Sequence, residues 1–227
     1  MQFISLGLGN HCCWGPSCSA NAGKHEKSIG NRRIPVYCQR FIAIKLVFHL
    51  QLGWCHVVYI DKKIIESTAV MADNKLYRYR LTRIWEKDKE IVGVVMLNPS
   101  RANSLKTDDT IMNLTNYLID NNYGGVDIVN MYALMATKPS ELQNRDQAYE
   151  AYNDSHITET AAERDVLVIA WGSDMKKYVR RKREIETLLF PYAHKIKCLE
   201  DPEGKSPRHP LLLSKDWKLV PYSFRYI

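Results

Sequence analysis

The chain has 227 residues, of which 45% are hydrophobic and 25% are charged. This size and composition suit one α/β domain, alone or with an appendage, and exclude a disordered, collagen-like or coiled-coil chain. The formal charge of +7 and the six cysteines point at first to a nucleic-acid-binding protein or to a protein with zinc or disulfides.

Both features are concentrated before Met71. Residues 1–70 carry five of the six cysteines and eight Lys or Arg against three acids, a net charge of +5. Residues 71–227 carry only Cys198 and have 24 Lys or Arg against 22 acids, a net charge of +2. The first 70 residues show no consistent pattern. We therefore expect an irregular leader outside the fold, translated only in an over-extended gene prediction, and a single domain over 71–227.

Metal binding and membrane insertion are the alternatives for the leader. Its cysteines Cys12, Cys13 and Cys18 lack the Cys-x-x-Cys spacing of zinc sites. Polar residues interrupt its one long apolar run, 41–60, and a lysine such as Lys45 costs roughly 2.5–3.5 kcal/mol near the centre of a bilayer. No segment resembles an export signal. We therefore expect no metal, no cofactor, no membrane contact and a cytoplasmic location.

After Met71 the pattern predicts strands that alternate with helices. An alternating strand over 75–86 is joined by a polar turn, as in a hairpin, to an apolar strand over 91–97 that is buried on both faces. The later elements are a helix over 109–122, a strand over 126–131, two helical pieces capped by Ser140 or Asn153 and ending at 163, a strand over 165–170, a helix over 175–189 and a strand over 195–199. This order predicts a three-layer α/β/α fold with a mostly parallel central sheet and an added N-terminal hairpin strand.

Polar motifs follow the buried strands. They are Asn98-Pro99-Ser100, Asn130 with Tyr132, Trp171-Gly172, and Arg208 with His209. Open α/β sheets bind ligands outside the carboxyl ends of their strands, so we predict that these motifs meet at one site. Each motif alone also fits a structural role, such as a strand exit at Pro99 or core packing by Trp171.

An acidic pair and a basic helix face each fit two roles. Asp108 and Asp109 are natural helix caps, with a general base or a metal ligand as the alternative. Lys176, Arg180 and Arg183 share one helix face that can dock phosphates. Acids four residues after Arg180 and Lys182 favour a solvated, salt-bridged face instead. No glycine-rich nucleotide loop, nucleophile elbow or zinc-protease motif occurs.

An ordered series of motifs carries a resemblance to a known family. The series is YRLTRIW at 79–85, MLNPS at 96–100, DDTI at 108–111, YGG at 123–125, VNMYA at 129–133, ATKP at 136–139, ND at 153–154, AWG at 170–172 and RHPL at 208–211. It resembles the bacterial and phage domain-of-unknown-function family 1643, from about Tyr77 to Pro221. The family commonly has a proline between the second Asp and the Thr, whereas Asp109 here meets Thr110 directly.

The same layout is more distantly similar to the uracil-DNA glycosylase superfamily. That similarity implies that Asn98 holds the attacking water and His209 hydrogen-bonds the departing base. It also implies that Asn130 contacts a base edge and that Tyr132 or Trp171 stacks on the base. Leu211 and Leu212 stand where glycosylases usually have a serine and an intercalating segment.

We therefore expect a glycosylase-like hydrolase that acts on a nucleobase, nucleoside or nucleic acid. The first alternative is a non-catalytic module that binds a nucleotide or modified base in the same cleft. The second is other hydrolase chemistry with Asp108 or Asp109 as the base. The sequence does not define an oligomeric state.

Overall fold

The computed structural model describes residues 46–49 and 55–227, and the chain divides into two compact units, Met1–Ile60 and Asp61–Ile227. In the first unit, β1 (Leu46–His49) pairs antiparallel with β2 (Cys55–Val58). The three leader cysteines at 12, 13 and 18, and half of the apolar run over 41–60, lie outside the described residues.

The second unit contains the remaining strands and all described helices. Its strands are β3 (Glu66–Met71), β4 (Arg78–Ile84), β5 (Ile91–Met96), β6 (Gly125–Asn130), β7 (Val166–Ile169), β8 (Ile196–Glu200) and β9 (Lys218–Pro221). Its α-helices are α1 (Asp109–Asp120), α2 (Gln147–Glu150), α3 (Asn153–Glu163) and α4 (Val179–Leu189). Short 3₁₀ helices span Pro139–Asn144, Phe190–Lys195 and Pro210–Leu212.

The sheet of this unit has seven strands in the order β3-β4-β6-β5-β7-β8-β9. The four central strands, β6, β5, β7 and β8, are parallel, and the three remaining pairings are antiparallel. The sheet is therefore mixed, and the parallel arrangement that the sequence predicts is limited to its centre. The parallel strands are linked by helical connections, which β3, β4 and β9 lack.

Helices cover both faces of the sheet. On one face, Ile111 and Leu114 of α1 belong to the same apolar cluster as Val94 of β5. On the other face, Ile157 of α3 and Ile185 of α4 share a cluster with Val95. Successive β5 residues thus pack on opposite faces, which explains why this strand is apolar throughout. The predicted α/β class is confirmed.

The predicted hairpin between β4 and β5 is wrong. β4 pairs with β3 and β6, and β5 lies between β6 and β7. The apolar β5 must be covered on both faces, so it takes a central place, while the half-exposed β4 lies nearer the edge. The hairpin is instead formed by β3 and β4.

Several boundaries also differ from the prediction. Asp146, rather than Ser140 or Asn153, caps a helix, by accepting a hydrogen bond from the N–H of Ala148 (2.9 Å). α4 begins at Val179, after Tyr178 with a φ of 58°. A left-handed residue does not continue a right-handed helix.

Strand β3 extends the sheet into the predicted leader. Its exposed and half-buried residues alternate from Glu66 to Met71, as in an edge strand, and Ala69 packs against the core. Residues 66–70 therefore belong to the fold. The start of translation at Met71 remains a prediction.

Removing β3 should lower the stability of the domain. We expect residues 71–227 to melt about 5–10 °C below residues 61–227. The shorter chain loses the pairing with β4, each hydrogen bond contributes about 1 kcal/mol, and 1 kcal/mol corresponds to about 2–4 °C. Thermal unfolding followed by circular dichroism measures the difference. Equal melting temperatures would show that β3 contributes nothing to the fold.

A buried ionic cluster joins β4, β6 and the end of α3. Asp127 of β6 is fully buried. Its carboxylate accepts hydrogen bonds from Nε (2.8 Å) and Nη2 (2.5 Å) of Arg80 and from Nε of Arg164 (2.9 Å). Thr82 Oγ1 donates a further hydrogen bond at 3.0 Å. These hydrogen bonds raise the pKa of Arg80, mainly through Asp127. The sequence analysis did not identify this cluster.

Candidate functional site

The carboxyl ends of β5 and β7 form the point where the chain connections diverge. From β5 the chain passes through α1 to β6 on one side, and from β7 it passes through α4 to β8 on the other. Ligands of open α/β sheets bind at such a switch point. Asn98 follows β5 and Gly172 follows β7. The sheet order therefore brings two of the predicted motifs to this crevice.

Asp108 links the loop after β5 to the start of α1. Its Oδ1 accepts a hydrogen bond from the N–H of Ile111 (2.9 Å), and its Oδ2 accepts one from Ser100 Oγ. The first contact is the predicted helix cap. Asp108 is half-buried, whereas Asp109 is exposed in the first turn of α1. Both oxygens of Asp108 are thus engaged in holding the local structure.

His209 lies close to Asp108 and Gly172. The Nδ1 of His209 accepts a hydrogen bond from the N–H of Leu211 (3.2 Å). The neutral ring therefore carries its proton on Nε2. Burial lowers the pKa of His209 below 6.5, and the nearby Asp108 carboxylate opposes this shift. A Cβ built on Gly172 would lie 4.0 Å from the Cβ of His209, so this glycine turn passes directly beside the imidazole.

The amide of Asn98 is fixed by the loop after β6. Its Nδ2 donates to the carbonyl oxygens of Ala136 (2.7 Å) and Pro99 (3.0 Å). None of the described residues donates a hydrogen bond to Asn98 Oδ1. Asn98 therefore joins two loops of the site and keeps an oriented acceptor.

Two fully buried polar side chains lie on the α1 face of the sheet. Val126 and Ile128 of β6 pack in the α1-side cluster. Asn130, two residues further along the strand, points to the same face. Neither amide atom of Asn130 has a hydrogen-bond partner among the described residues. Arg78 of β4 is also fully buried, and its Nη1 donates to the carbonyl of Ala102 (2.5 Å). The sequence analysis missed Arg78, because an arginine in an alternating strand usually faces solvent.

Trp171 and Arg208, two of the predicted binding residues, contact other side chains of the protein. Trp171 is 5% exposed and packs edge-to-face on Tyr222, with ring centroids 5.9 Å apart. Arg208 forms an ion pair with Asp201, with Nε 3.2 Å from Oδ2, and its guanidinium lies 5.3 Å from the Trp217 ring. Both residues hold local structure, and their predicted roles in ligand binding stay predictions.

Tyr132 lines a separate cleft of about 720 Å³ between α2, α3 and α4. The Arg145 guanidinium lies 4.1 Å from the centroid of the Tyr132 ring, and Tyr178 packs against its edge at 5.7 Å. The charged residues lining this cleft are Arg145, Glu150, Asp154, Arg180, Arg181 and Glu184. The three arginines and three acids leave the lining with no net formal charge.

Two of the predicted basic residues on α4 already have partners within the protein. The Nε of Arg180 donates to Glu184 at 3.1 Å, and the Nε of Arg183 donates to the carbonyl of Tyr226 at 2.8 Å. Lys176 is exposed in the preceding loop, outside the helix. These contacts favour the solvated face over a phosphate-docking surface.

These features define an α/β protein with a mixed seven-stranded sheet and a polar side-chain cluster at the carboxyl edge of its parallel strands. A family model described as "Protein of unknown function (DUF1643)" matches residues 78–211, more than half of the chain. The chain therefore belongs to this family. No curated protein and no solved structure matches the chain.

Two further properties concern the described residues only. None of their helices is long and apolar enough to cross a membrane. Within the same part of the chain, no group of three or more His, Cys, Asp or Glu side chains could hold a metal ion.

Proposed function

We propose that this protein is a glycosylase-like hydrolase that cleaves the N-glycosidic bond of a nucleobase-containing ligand. One observation carries the proposal. His209 has a neutral imidazole with its proton on Nε2, and it lies at the same sheet edge as Asn98. Neither this Nε2–H nor the Oδ1 of Asn98 has a hydrogen-bond partner among the described residues. The order of motifs that resembles the uracil-DNA glycosylase superfamily supports this assignment.

The chemistry requires two groups with opposite tasks. As the bond between C1′ and the base nitrogen breaks, positive charge develops on the sugar and negative charge on the base. The Nε2–H of His209 donates to the departing base and stabilises the negative charge. The Oδ1 of Asn98 accepts from a water molecule, whose oxygen bonds to C1′. The remaining proton of that water passes to the base, so the products are the free base and the sugar with a hydroxyl group at C1′.

Asn130 provides recognition in this proposal. Its carbonyl and amino groups are buried on the α1 face and have no partner among the described residues. An amide with both groups available can pair with the edge of a base, which presents a donor and an acceptor side by side. Ser100 and Pro99 shape the adjoining wall through the loop that Asp108 fixes.

A binding module is the second candidate, and one observation favours it. An amide such as Asn98 does not remove a proton from water, and both oxygens of the Asp108 carboxylate, which lies close to His209, already accept hydrogen bonds. Under this alternative the same residues bind a nucleotide or modified base without cleavage.

Release of free base tests the two functions directly. We expect the wild-type chain to release base from at least one nucleoside, or from single- or double-stranded DNA containing uracil or a modified base. Asn98→Ala and His209→Ala should each slow release by about 10²-fold or more. The exposed residues Asn144 and His194 provide matched controls, since their alanine variants should keep full activity. Release at the wild-type rate in His209→Ala would refute the mechanism. Tight binding of a probe without release of base would show that the protein is a binding module instead.

A further inference from the structure

Arg78 is the least satisfied charged side chain near the site. It is 0% exposed, and its Nη1 donates a hydrogen bond to the carbonyl of Ala102. Nε and Nη2 are buried and have no partner among the described residues. A buried cation without a hydrogen-bonded anion is costly, so a fold retains one where another group completes it.

A β-bulge directs this side chain into the site. Arg80 pairs with Val70, whereas Arg78 pairs with the next residue, Met71, so Tyr79 is an extra residue in β4. Tyr79 stacks on His156 of α3, on one face of the sheet. Arg78 contacts Ala102, which belongs to the α1-side cluster on the other face. Bulges re-aim side chains beside functional sites, and this one places Arg78 on the same face as Asn130.

Arg80 shows what the unpartnered edge of Arg78 can bind. Nε and Nη2 of Arg80 each donate to one oxygen of Asp127, at 2.8 and 2.5 Å. The same two nitrogens are the ones without partners in Arg78. This edge of a guanidinium fits a carboxylate or phosphate with two parallel hydrogen bonds.

The local charge also favours an anion. Arg83 lies near enough to Arg78 to affect its ionisation, and Asp108 is the acid that acts on both arginines. Two guanidinium groups against one carboxylate leave a net positive charge. Burial lowers the pKa of Arg78 to about 10, so the group stays charged at neutral pH.

We propose that Arg78, on the same face of the sheet as Asn130, forms a subsite for an oxyanion, a phosphate or carboxylate group on the ligand of this protein. This proposal depends on the proposed function in one respect, which is that the rest of the ligand contains a nucleobase. A fully buried guanidinium is reached by a terminal group that enters the protein, not by the backbone of a duplex on its surface. The subsite therefore favours a nucleoside monophosphate over nucleic acid as the ligand.

Binding measurements with paired probes test this subsite. The full chain is titrated calorimetrically with each of the four common deoxynucleosides and with its 5′-monophosphate. We expect at least one monophosphate to bind about 10- to 100-fold more tightly than its nucleoside, the range for hydrogen bonds to a charged group. The melting temperature is also measured in inorganic phosphate and in acetate, each compared with chloride at equal ionic strength. The oxyanion that binds raises the melting temperature.

Three variants assign the effect to Arg78. Arg78→Gln removes the charge, and Arg78→Lys keeps the charge but loses the two-nitrogen edge. Both should reduce the preference for the monophosphate to about threefold or less. Arg180→Gln, which removes the charge of an exposed arginine on α4, should retain it. Circular dichroism checks that each variant is folded.

The outcomes separate this proposal from the proposed function. A preference for monophosphate that depends on Arg78 supports the subsite, whether or not base is released. Binding of acetate alone that depends on Arg78 supports a carboxylate subsite and excludes a nucleotide ligand. The subsite is refuted if the wild-type chain shows neither a monophosphate preference nor stabilisation by phosphate or acetate, a result that needs no variant to fold. It is equally refuted if folded Arg78→Gln keeps the effect.

Discussion

Replacing Asp127 with alanine is expected to lower the free energy of unfolding by about 3–5 kcal/mol. The carboxylate is fully buried and binds Arg80 and Arg164, whose side chains remain mostly covered. Its removal leaves the two guanidinium groups with only the half-exposed Glu163 as an anion among the described residues, and it leaves Thr82 Oγ1 without its acceptor. Because the cluster joins β4 to β6 and to the residue after α3, its loss weakens contacts between distant parts of the chain.

Urea denaturation measures this effect as a lower midpoint at an unchanged slope. Asp120→Ala is a matched control, since that aspartate is exposed at the end of α1 and should change stability by no more than about 0.5 kcal/mol. Asp127→Asn keeps the size and two hydrogen-bonding groups but loses the charge, and should fall between the alanine variant and wild type. A loss below about 1 kcal/mol in Asp127→Ala would show that the two arginines find other partners.

Local patterns predicted the centre of the fold because they depend on neighbouring residues. The apolar run of β5, the cap at Asp108 and the apolar face of α1 each follow from a few adjacent positions. The pairing of β4 with β6 could not be predicted in this way. The pattern of a strand indicates which of its faces are buried, but it does not indicate which strand pairs with it. The polar turn before β5 favoured a hairpin between β4 and β5. β9 was missed, because its four residues include a proline and no alternation distinguishes them from a loop.

The candidate site shows the same division between local and distant information. The rule that ligands bind at the carboxyl ends of strands located Asn98 and His209. The sequence could not show that Trp171 turns into the core or that Tyr132 faces another cleft, because this depends on which helix covers each strand end. Arg78 was missed for a physical reason, since a single-residue bulge reverses the face on which a strand residue lies.

His209→Ala is expected to reduce the rate of base release by about 10²- to 10³-fold, the loss typical of removing one preorganised donor to a developing anion. The wild-type rate should be constant above about pH 6.5 and fall only at lower pH. Burial lowers the pKa of His209 below its usual value of 6.5, so the ring stays neutral at pH 7. Protonation at low pH places a proton on Nδ1, which then no longer accepts the N–H of Leu211.

The free energy of unfolding should also fall at low pH. The folded-state pKa of His209 lies below its unfolded value, so its contribution to stability is complete above about pH 6.5 and is lost as the pH falls toward the lower folded value. The control is His209→Gln, which keeps an N–H donor and an acceptor for Leu211 but does not titrate. This variant should retain more activity than His209→Ala and lose the acid limb of the profile. If the limb persists in His209→Gln, a different group controls it, and the imidazole is not the donor that stabilises the departing base.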